Sequence, residues 1–302
     1  MKDSNLLDVI IIGGSYAGLS AGMTLGRAMR KVLIIDSGKP CNAQTPHSHN
    51  FLTLDGERPA EIARKAKEQV LAYPTVSFRN DLVISAKKPD GFFELTTASG
   101  EMFSARKLLF TTGVKDLMPD IKGFAACWGI SVIHCPYCHG YEVRHQKTAV
   151  LINGNDAFHF AQILSNWTKE LVLFTNGPIT LDTEQQEQLK KNNIQWIETP
   201  VGRLLHTDGQ LKSIVLSDGE EHSFSVMYAR IPFEQHSSIP QELGCKLNEQ
   251  GYLEVSEMQQ TSVAGIYAAG DNTTMGRSVA IAVAAGVRSG SMINYELIMD
   301  SW

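Results

Sequence analysis

Residues 8–18 read Asp-Val-Ile-Ile-Ile-Gly-Gly-Ser-Tyr-Ala-Gly. The β-branched run has the composition of a buried strand, the glycines after it predict a tight turn, and the pattern from Leu19 to Arg30 is helical. Residues 31–36 then supply a second apolar strand that ends in an acid, Asp36. Strand, glycine turn, helix and strand in this order predict an α/β dinucleotide-binding unit.

The turn carries the binding chemistry of such a unit. Its glycines let main-chain N–H groups and a helix N-terminus approach a pyrophosphate, while an acid about 20 residues further on accepts hydrogen bonds from a ribose. Asp36 stands in that place. The middle position of the G-x-G-x-x-G pattern is Ser15. We expect this small side chain to admit the phosphate, because Gly14 beside it relieves the main chain.

The same layout repeats in degraded form further along the chain. A strand at 148–152 leads into a turn in which only Gly154 and Ala157 keep the glycine pattern. The following strand ends at Thr175 in Asn-Gly-Pro, with neither an acid for a ribose diol nor an arginine for a 2′-phosphate. We favour a retained fold with little or no affinity for NADPH, and a working nicotinamide site is the alternative.

Residues 135–139 read Cys-Pro-Tyr-Cys-His, and two cysteines at this spacing can cycle between dithiol and disulfide. A zinc site is one alternative, but the other cysteines are single and scattered: Cys41, Cys127 and Cys245. Haem c attachment is a second alternative, since residues 135–139 match its C-x-x-C-H signature, but such attachment generally follows export. A chance pair of buried cysteines is a third, although the residues around them are typical of a tight turn. We predict a redox-active pair, Cys135 and Cys138, and no metal.

Length and charge restrict the class of protein. The chain has 302 residues, enough for about two domains. A net charge of −5 without a run of lysines or arginines argues against nucleic acid and an anionic membrane surface as partners. The apolar runs fall short of the roughly 18 residues that a membrane span needs. Met1 to Asn5 show no export signal, so we expect a soluble cytoplasmic protein.

The remaining segments complete the two units. We predict a helix over residues 60–71 and a β-meander over 76–110. The polar segment 41–56 contains a group of nearby polar residues, His47, His49 and Asn50, for which a solvated loop is favoured over a ligand cluster. Residues 264–271 are predicted to form a buried strand that ends at Asp271, facing a long helix, where an acid can bind a ribityl hydroxyl.

These stretches together resemble the low-molecular-weight thioredoxin reductases, FAD-dependent members of the pyridine nucleotide-disulfide oxidoreductase family, over nearly the full length. Five segments carry the resemblance: Gly13–Gly18, Asp36, Thr111–Gly113, Cys135–Cys138 and Gly265–Asp271. The resemblance implies an α/β protein with two Rossmann-like, three-layer ββα nucleotide-binding domains. A discontinuous FAD domain would comprise 1–115 and 243–302, with an NAD(P)-binding-like domain of 116–242 inserted into it. Homodimers are implied as well.

The resemblance also implies which residues meet cofactor and substrate. Cys138 would face the isoalloxazine ring, and Cys135 would attack a substrate disulfide. The FAD would be bound by residues of the first turn and of later segments: Gly13, Ser15, Tyr16, Ala17, Gly18, Asp36, Asn50, Val83, Thr112, Gly113, Gly270, Asp271, Ser278 and Val279.

Two departures from these reductases concern the reaction. The reductases usually carry aspartate directly after the second cysteine, where this chain has His139, and their nicotinamide motif with its paired arginines is missing. Cys-x-x-Cys-His-Gly-x-Glu is more similar to the branch containing the dithiol oxidases of gliotoxin and holomycin biosynthesis. Those enzymes close a dithiol into a disulfide and pass the electrons through FAD to oxygen.

His139 sets the predicted direction of the reaction. A histidine, with an ordinary pKa of about 6.5, suits a general base near neutral pH, although a surface turn histidine is the alternative. We predict a dithiol oxidase-like enzyme that acts without NADPH on a small dithiol or disulfide, or on a thioredoxin-like protein. An NADPH-dependent thioredoxin reductase and a non-catalytic flavin redox sensor are the alternatives.

Overall fold

A computed structural model describes residues 6–89 and 91–302 of the chain. Met1 to Asn5, on which the expectation about export rests, lie outside these described residues. Within the described ranges, no helix combines the length and the apolar composition needed to cross a bilayer.

Strands and helices alternate along most of the chain. The strands are β1 (Leu7–Ile12), β2 (Val32–Asp36), β3 (Val76–Asn80), β4 (Val83–Lys87), β5 (Phe93–Thr97), β6 (Met102–Phe110), β7 (Val114–Asp116), β8 (Val132–Ile133), β9 (Thr148–Leu151), β10 (Leu171–Phe174), β11 (Gln195–Ile197), β12 (Val201–Thr207), β13 (Gln210–Leu216), β14 (Glu221–Ser223), β15 (Val226–Ala229), β16 (Phe233–Gln235) and β17 (Ile266–Ala268). The helices are α1 (Tyr16–Arg27), α2 (Pro59–Leu71), α3 (Phe124–Cys127), α4 (Pro136–His139), α5 (Asn155–Leu164), α6 (Thr183–Lys191), α7 (Ile239–Glu242) and α8 (Val279–Met299).

The main-chain contacts divide the chain into two compact units. The first comprises the described residues of 1–43, 51–115 and 233–302, and the second comprises 44–50 and 116–232. The predicted inserted domain, 116–242, therefore ends after residue 232 and not after 242. Ile239 and Cys245 are buried in a core of the first unit.

The short segment 44–50 also departs from the predicted division. It lies within the predicted FAD domain in sequence, yet its contacts place it with the second unit. Gln44 donates hydrogen bonds from its amide to the main-chain oxygens of Ala125 and Trp128, which attach the segment to α3. Short-range sequence pattern contains no signal for such a contact.

The first unit is built on a sheet with the strand order β3-β2-β1-β6-β5-β4, and β17 also pairs with β6. β1 pairs parallel with both β2 and β6. Side chains alternate across β1, so that Val9 and Ile11 pack in a core with residues of α1 and α8, while Ile10 and Ile12 pack in the opposite core. This is the expected doubly covered nucleotide-binding architecture.

The predicted β-meander is wrong at its first strand. β3 pairs parallel with β2, with Val76 opposite Val32, and only β4, β5 and β6 form an antiparallel meander. Val76 and Val32 are both buried in the core that contains α1, so burial keeps β3 on the parallel edge.

The second unit repeats the parallel arrangement. Its main sheet has the order β11-β10-β9-β15-β8, and every pairing in it is parallel. A separate antiparallel sheet is formed by β12, β13 and β14. The carboxyl end of β8 leads directly to Cys135, and that of β9 leads to Gly154, so both predicted sites lie at the edge where parallel sheets bind ligands.

A buried charge network attaches the end of α8 to the sheet of the first unit. Lys107 of β6, with a side chain only 8% exposed, lies 2.7 Å from carboxylate oxygens of both Glu296 and Asp300. The fully buried Tyr267 donates its hydroxyl to the other oxygen of Glu296. The lysine thus compensates acidic groups that would be costly to desolvate alone.

We expect Lys107→Ala to destabilise the protein by about 2–3 kcal/mol, because Glu296 would lose its cation in a largely buried position. The change would be measured as a lower denaturant midpoint. Lys115→Ala is the matched control, since the Lys115–Glu234 pair is 57% and 51% exposed and should contribute less than about 1 kcal/mol. Equal effects of the two substitutions would contradict a stabilising role for the buried network.

Candidate functional site

The glycine turn of the first unit is closed by contact between main chains. Gly13 has a positive φ of 107°, and a side chain there would overlap the carbonyl of Thr111, while a side chain at Gly18 would overlap the carbonyl of Gly13. The hydroxyl of Thr111 donates to the Gly13 carbonyl at 2.7 Å. Only glycine fits these two positions, which explains the spacing in the sequence.

Asp36 fixes the turn from the end of β2. Its carboxylate accepts hydrogen bonds from the main-chain N–H groups of Gly14 at 2.6 Å and Gly38 at 2.7 Å, one at each oxygen. Each carboxylate oxygen has a further lone pair, so these bonds leave capacity for a ribose hydroxyl. The predicted ribose-binding acid is therefore also a structural element of the turn.

The N-terminus of α1 has the composition of an anion site. The helix begins at Tyr16, earlier than predicted, with Ser15 at the N-cap, and the Ser15 side chain makes no capping hydrogen bond. No acidic residue lies in the first turn, and Ala17 and Gly18 are buried. Helices leave their first N–H groups without intrahelical partners, and these groups together with the dipole favour a phosphate.

Three predicted cofactor residues lie on β4 and after β6. The hydroxyl of Thr112 is buried and has no hydrogen-bond partner among the described residues. Gly113 has a positive φ of 64°, with open space where a side chain would stand. The side chain of Val83 is buried in a core of the first unit, so only its main chain is accessible to a ligand.

The C-terminal residues approach the same turn. A side chain at Gly270, whose φ is 94°, would lie 3.1 Å from the side chain of Ala17. A carboxylate oxygen of Asp271 lies 3.5 Å from Nε of Arg277. Helix α8 begins at Val279, and the hydroxyl oxygen of Ser278 caps it by accepting the N–H of Ile281.

The predicted cofactor residues are thus divided between the two units. The turn, Asp36, Thr112 and Gly270 belong to the first unit, whereas the contacts of Asn50 place it in the second. Three features fit a dinucleotide such as FAD: two glycines without room for a side chain, an uncapped helix start, and a buried hydroxyl that has no partner within the described part of the chain.

In the second unit, Cys135 and Cys138 form a disulfide across the short helix α4. Cys135 is the N-cap of α4, and its Sγ accepts the main-chain N–H of Cys138 at 3.1 Å. Because both sulfur atoms are in the disulfide, neither is available to a zinc ion or for haem attachment in this state. The two predicted cysteines are thus bonded to each other, and their redox role stays a prediction.

His139 follows the disulfide directly and faces two further polar side chains. The ring of His49 lies edge-on to that of His139, with centroids 6.5 Å apart, and Nδ1 of His49 is 3.6 Å from a carboxylate oxygen of Glu142. Burial and the charge of His49 lower the pKa of His139, and Glu142 acts in the opposite direction. The imidazole is therefore neutral near pH 7 and able to accept a proton.

His49 and Glu142 lie beside His139, a proximity that the sequence analysis did not predict. In the segment for which a solvated loop is favoured, His47 is exposed, whereas the side chain of His49 is only 20% exposed. The proximity of the two histidines in sequence was the available signal. Nothing in the sequence indicated which of them would reach the disulfide.

The second glycine turn is occupied by one of its own side chains. The amide of Asn153 donates to the carbonyls of Thr175 at 3.2 Å and Pro178 at 2.9 Å, and its oxygen accepts the N–H of Gly154 at 2.8 Å. Asp156 lies in the first turn of α5, and its carboxylate is 2.8 Å from Nη1 of Arg230. The N–H of Gly154, which would face a phosphate, is thus already bonded to Asn153 and lies near the acidic Asp156.

A dinucleotide-binding unit together with a unit that carries a redox disulfide defines a thiol-disulfide oxidoreductase. Comparison with known proteins supports this class. The model of the pyridine nucleotide-disulphide oxidoreductase family matches residues 7–286. Thioredoxin reductase tcpT of Claviceps purpurea is 34% identical over 313 residues, covering 99% of this chain and 97% of the relative.

Two further comparisons agree. Thioredoxin reductase sirT of Leptosphaeria maculans is 30% identical over 311 residues, covering 97% of this chain and 95% of the relative. The crystal structure of an oxidoreductase from Agrobacterium tumefaciens superposes with a TM-score of 0.91 at 34% identity, covering 97% of this chain and 99% of that one. The chain belongs to the pyridine nucleotide-disulphide oxidoreductase family and is an FAD-dependent thiol-disulfide oxidoreductase of the thioredoxin reductase-like type. The predicted family and fold class are confirmed.

Thr112 allows a test of the cofactor site. We expect Thr112→Val to leave the unfolding free energy of the apoprotein unchanged, because the hydroxyl has no hydrogen-bond partner in residues 6–89 and 91–302, and to weaken FAD binding by roughly 0.5–1.5 kcal/mol, the contribution of one hydrogen bond. Thr111→Val, the neighbouring control, removes the hydroxyl that donates to Gly13, and should destabilise the apoprotein by about 1 kcal/mol. FAD titration and denaturation of both variants would measure this. A destabilised Thr112→Val apoprotein with normal FAD affinity would refute the assignment.

Proposed function

We propose that the protein oxidises a small dithiol to a disulfide, using the Cys135–Cys138 disulfide and FAD, and that it does so without NADPH. The same cysteine pair could serve either direction of thiol-disulfide exchange. The direction depends on whether electrons enter from a thiol or from a nicotinamide, so the second nucleotide turn is decisive.

The observation that carries the proposal is the position of the Asn153 side chain. Its amide fills the space between the ends of β9 and β10 and takes the N–H of Gly154, a group that binds pyrophosphate in a working site. Asp156 lies in the first turn of α5, where Arg230 pairs with it at 2.8 Å. Phosphate binding by the Gly154 N–H would therefore require breaking its bond to Asn153 beside this carboxylate.

The chain's own residues supply the thiol chemistry. Neutral His139 takes the proton of one substrate thiol, and the thiolate attacks Sγ of Cys135, which releases Cys138 as a thiolate. The Cys138 thiolate takes the proton of the second substrate thiol, and the resulting thiolate attacks the substrate sulfur of this mixed disulfide, so the substrate leaves as a cyclic disulfide and Cys135 leaves as a thiolate. Two electrons have then moved to the cysteine pair. A bound FAD would supply the acceptor for these two electrons, with oxygen as one possible terminal acceptor.

The two sulfur atoms have different surroundings. Sγ of Cys135 accepts the N–H of Cys138, and a hydrogen bond of this kind stabilises a thiolate at the N-cap of α4. This supports Cys135 as the atom that exchanges with the substrate. The role of Cys138 toward FAD rests on the family resemblance.

A thioredoxin reductase-type reaction is the second candidate, since tcpT and sirT carry that name. Electrons would then come from a nicotinamide nucleotide and go to a disulfide, for example on a thioredoxin-like protein. It requires a nucleotide at the turn that Asn153 occupies. The homodimer and the cytoplasmic location stay predictions.

Single-cysteine variants test the assignment of the two sulfurs. In Cys138→Ser the main-chain N–H to Cys135 remains, so the Cys135 thiolate should attack an added linear disulfide such as oxidised glutathione, release one thiol into solution and form a mixed disulfide that no second cysteine resolves. Mass spectrometry of peptides should find this adduct on Cys135. Cys135→Ser should trap far less, and the exposed Cys41, mapped separately, serves as the internal control. Stronger trapping on Cys138 would reverse the assignment.

The direction is tested by anaerobic reduction of the purified FAD protein. We expect dithiothreitol to bleach the flavin absorbance faster than NADPH or NADH, and His139→Ala to slow bleaching by the dithiol roughly 10²-fold or more while FAD content is unchanged, because a general base contributes about that much. His145→Ala, at an exposed position in the same unit, is the control. Rapid bleaching by NADPH would overturn the proposal in favour of the reductase.

A further inference from the structure

The segment 44–50 contributes a side chain to the redox site from a distant part of the sequence. Contacts place it in the second unit although residues on both sides of it belong to the first. We call residues 44–50 the strap. Gln44 bonds to the carbonyls of Ala125 and Trp128, and the hydroxyl of Thr45 lies close to Gly129. The strap is therefore held at its start by specific contacts.

The far part of the strap reaches the residues that follow the disulfide. Ser48 is buried, and His49 beside it lies 3.6 Å from Glu142 and 6.5 Å, between ring centroids, from His139. His47 is exposed and faces His49 at 6.5 Å on centroid distance. One histidine of the strap thus faces the catalytic group, and the other lies further out.

We propose that His49 and Glu142 are positioning residues that act on His139 in opposite directions, and that the strap is a part of the catalytic site. This rests on the proposed function only in taking His139 as the base. Neither side chain needs to touch the substrate, because both act through the proton affinity of His139.

The physical basis is the set of charges around His139. A positive charge on His49 opposes protonation of His139, and the carboxylate of Glu142 favours it. Burial and the charge of the same Glu142 both raise the pKa of the Tyr228 hydroxyl on β15. The two side chains that act on His139 by charge are therefore an imidazole and a carboxylate that lie 3.6 Å from each other.

The signs of the expected shifts follow directly. Removing the charge of His49 should raise the pKa of His139, so the base becomes neutral only at higher pH. Removing the charge of Glu142 should lower the pKa of His139, so the base is neutral at lower pH. Loosening the strap should act like the loss of His49, because it also returns water to the imidazole.

The test is an NMR titration of histidine-labelled FAD protein with the disulfide oxidised, in which His139→Ala identifies the His139 resonance. We expect His49→Gln and Gln44→Ala to shift the His139 titration to higher pH, and Glu142→Gln to shift it to lower pH. His47→Gln is the matched control within the strap and should cause a smaller shift than His49→Gln. Shifts in the same direction for His49→Gln and Glu142→Gln, or no shift in either, would overturn the proposal.

A kinetic measurement then connects the titration to catalysis. The pH at which anaerobic reduction by dithiothreitol reaches half its His139-dependent rate should move in the same directions in the three variants. If NADPH proves the better reductant, the proposed function fails, but the NMR shifts still decide the roles of His49 and Glu142. If the His139 titration shifts as expected but the pH dependence of the reduction rate does not, the place of the strap in the catalytic site would be overturned.

Discussion

Close packing of main chains at the ends of β1 and β6 constrains the whole first unit. The Thr111 hydroxyl donates to the carbonyls of Ile12 and Gly13, and Gly13 lies against the Thr111 carbonyl without room for a side chain. This contact determines where α1 begins, and therefore where its unpaired N–H groups point. A bulkier residue at Gly13 or Gly18 would separate the strand ends and displace the helix start, so binding and folding depend on the same few atoms.

The second unit shows how such a turn changes its chemistry without losing its architecture. β9, α5 and β10 keep the parallel arrangement, but Asn153 binds the Gly154 N–H and two carbonyls from inside the turn. The interactions that a phosphate would offer are supplied by a neutral amide. These main-chain groups of the turn therefore have hydrogen-bond partners without a ligand. The activity of the protein follows from its site residues and not from the fold alone.

Most of the fold could be predicted from the sequence, because alternating apolar residues and glycine turns are local signals. β1, α1 and β2 and the redox cysteines follow from such patterns. The parallel pairing of β3, the strap and the Asn153 contacts could not be predicted in this way. Each depends on residues far apart in sequence, as in the approach of His49 to Glu142, and periodicity gives no information about such pairs.

The redox motif assigns a separate task to each of its residues. Pro136 occupies the first position of α4, where a missing N–H costs nothing, and Cys135 takes the N-cap place that serine or aspartate usually holds. The N–H of Cys138 thereby stabilises negative charge on Cys135, which makes that sulfur the better leaving group once a substrate is bound to it. A neutral His139 at the end of the same turn can take the proton that the substrate thiol gives up. The difference between the two sulfurs is thus built into the backbone of a single helical turn, and in the proposed direction of reaction it would favour release of an oxidised substrate.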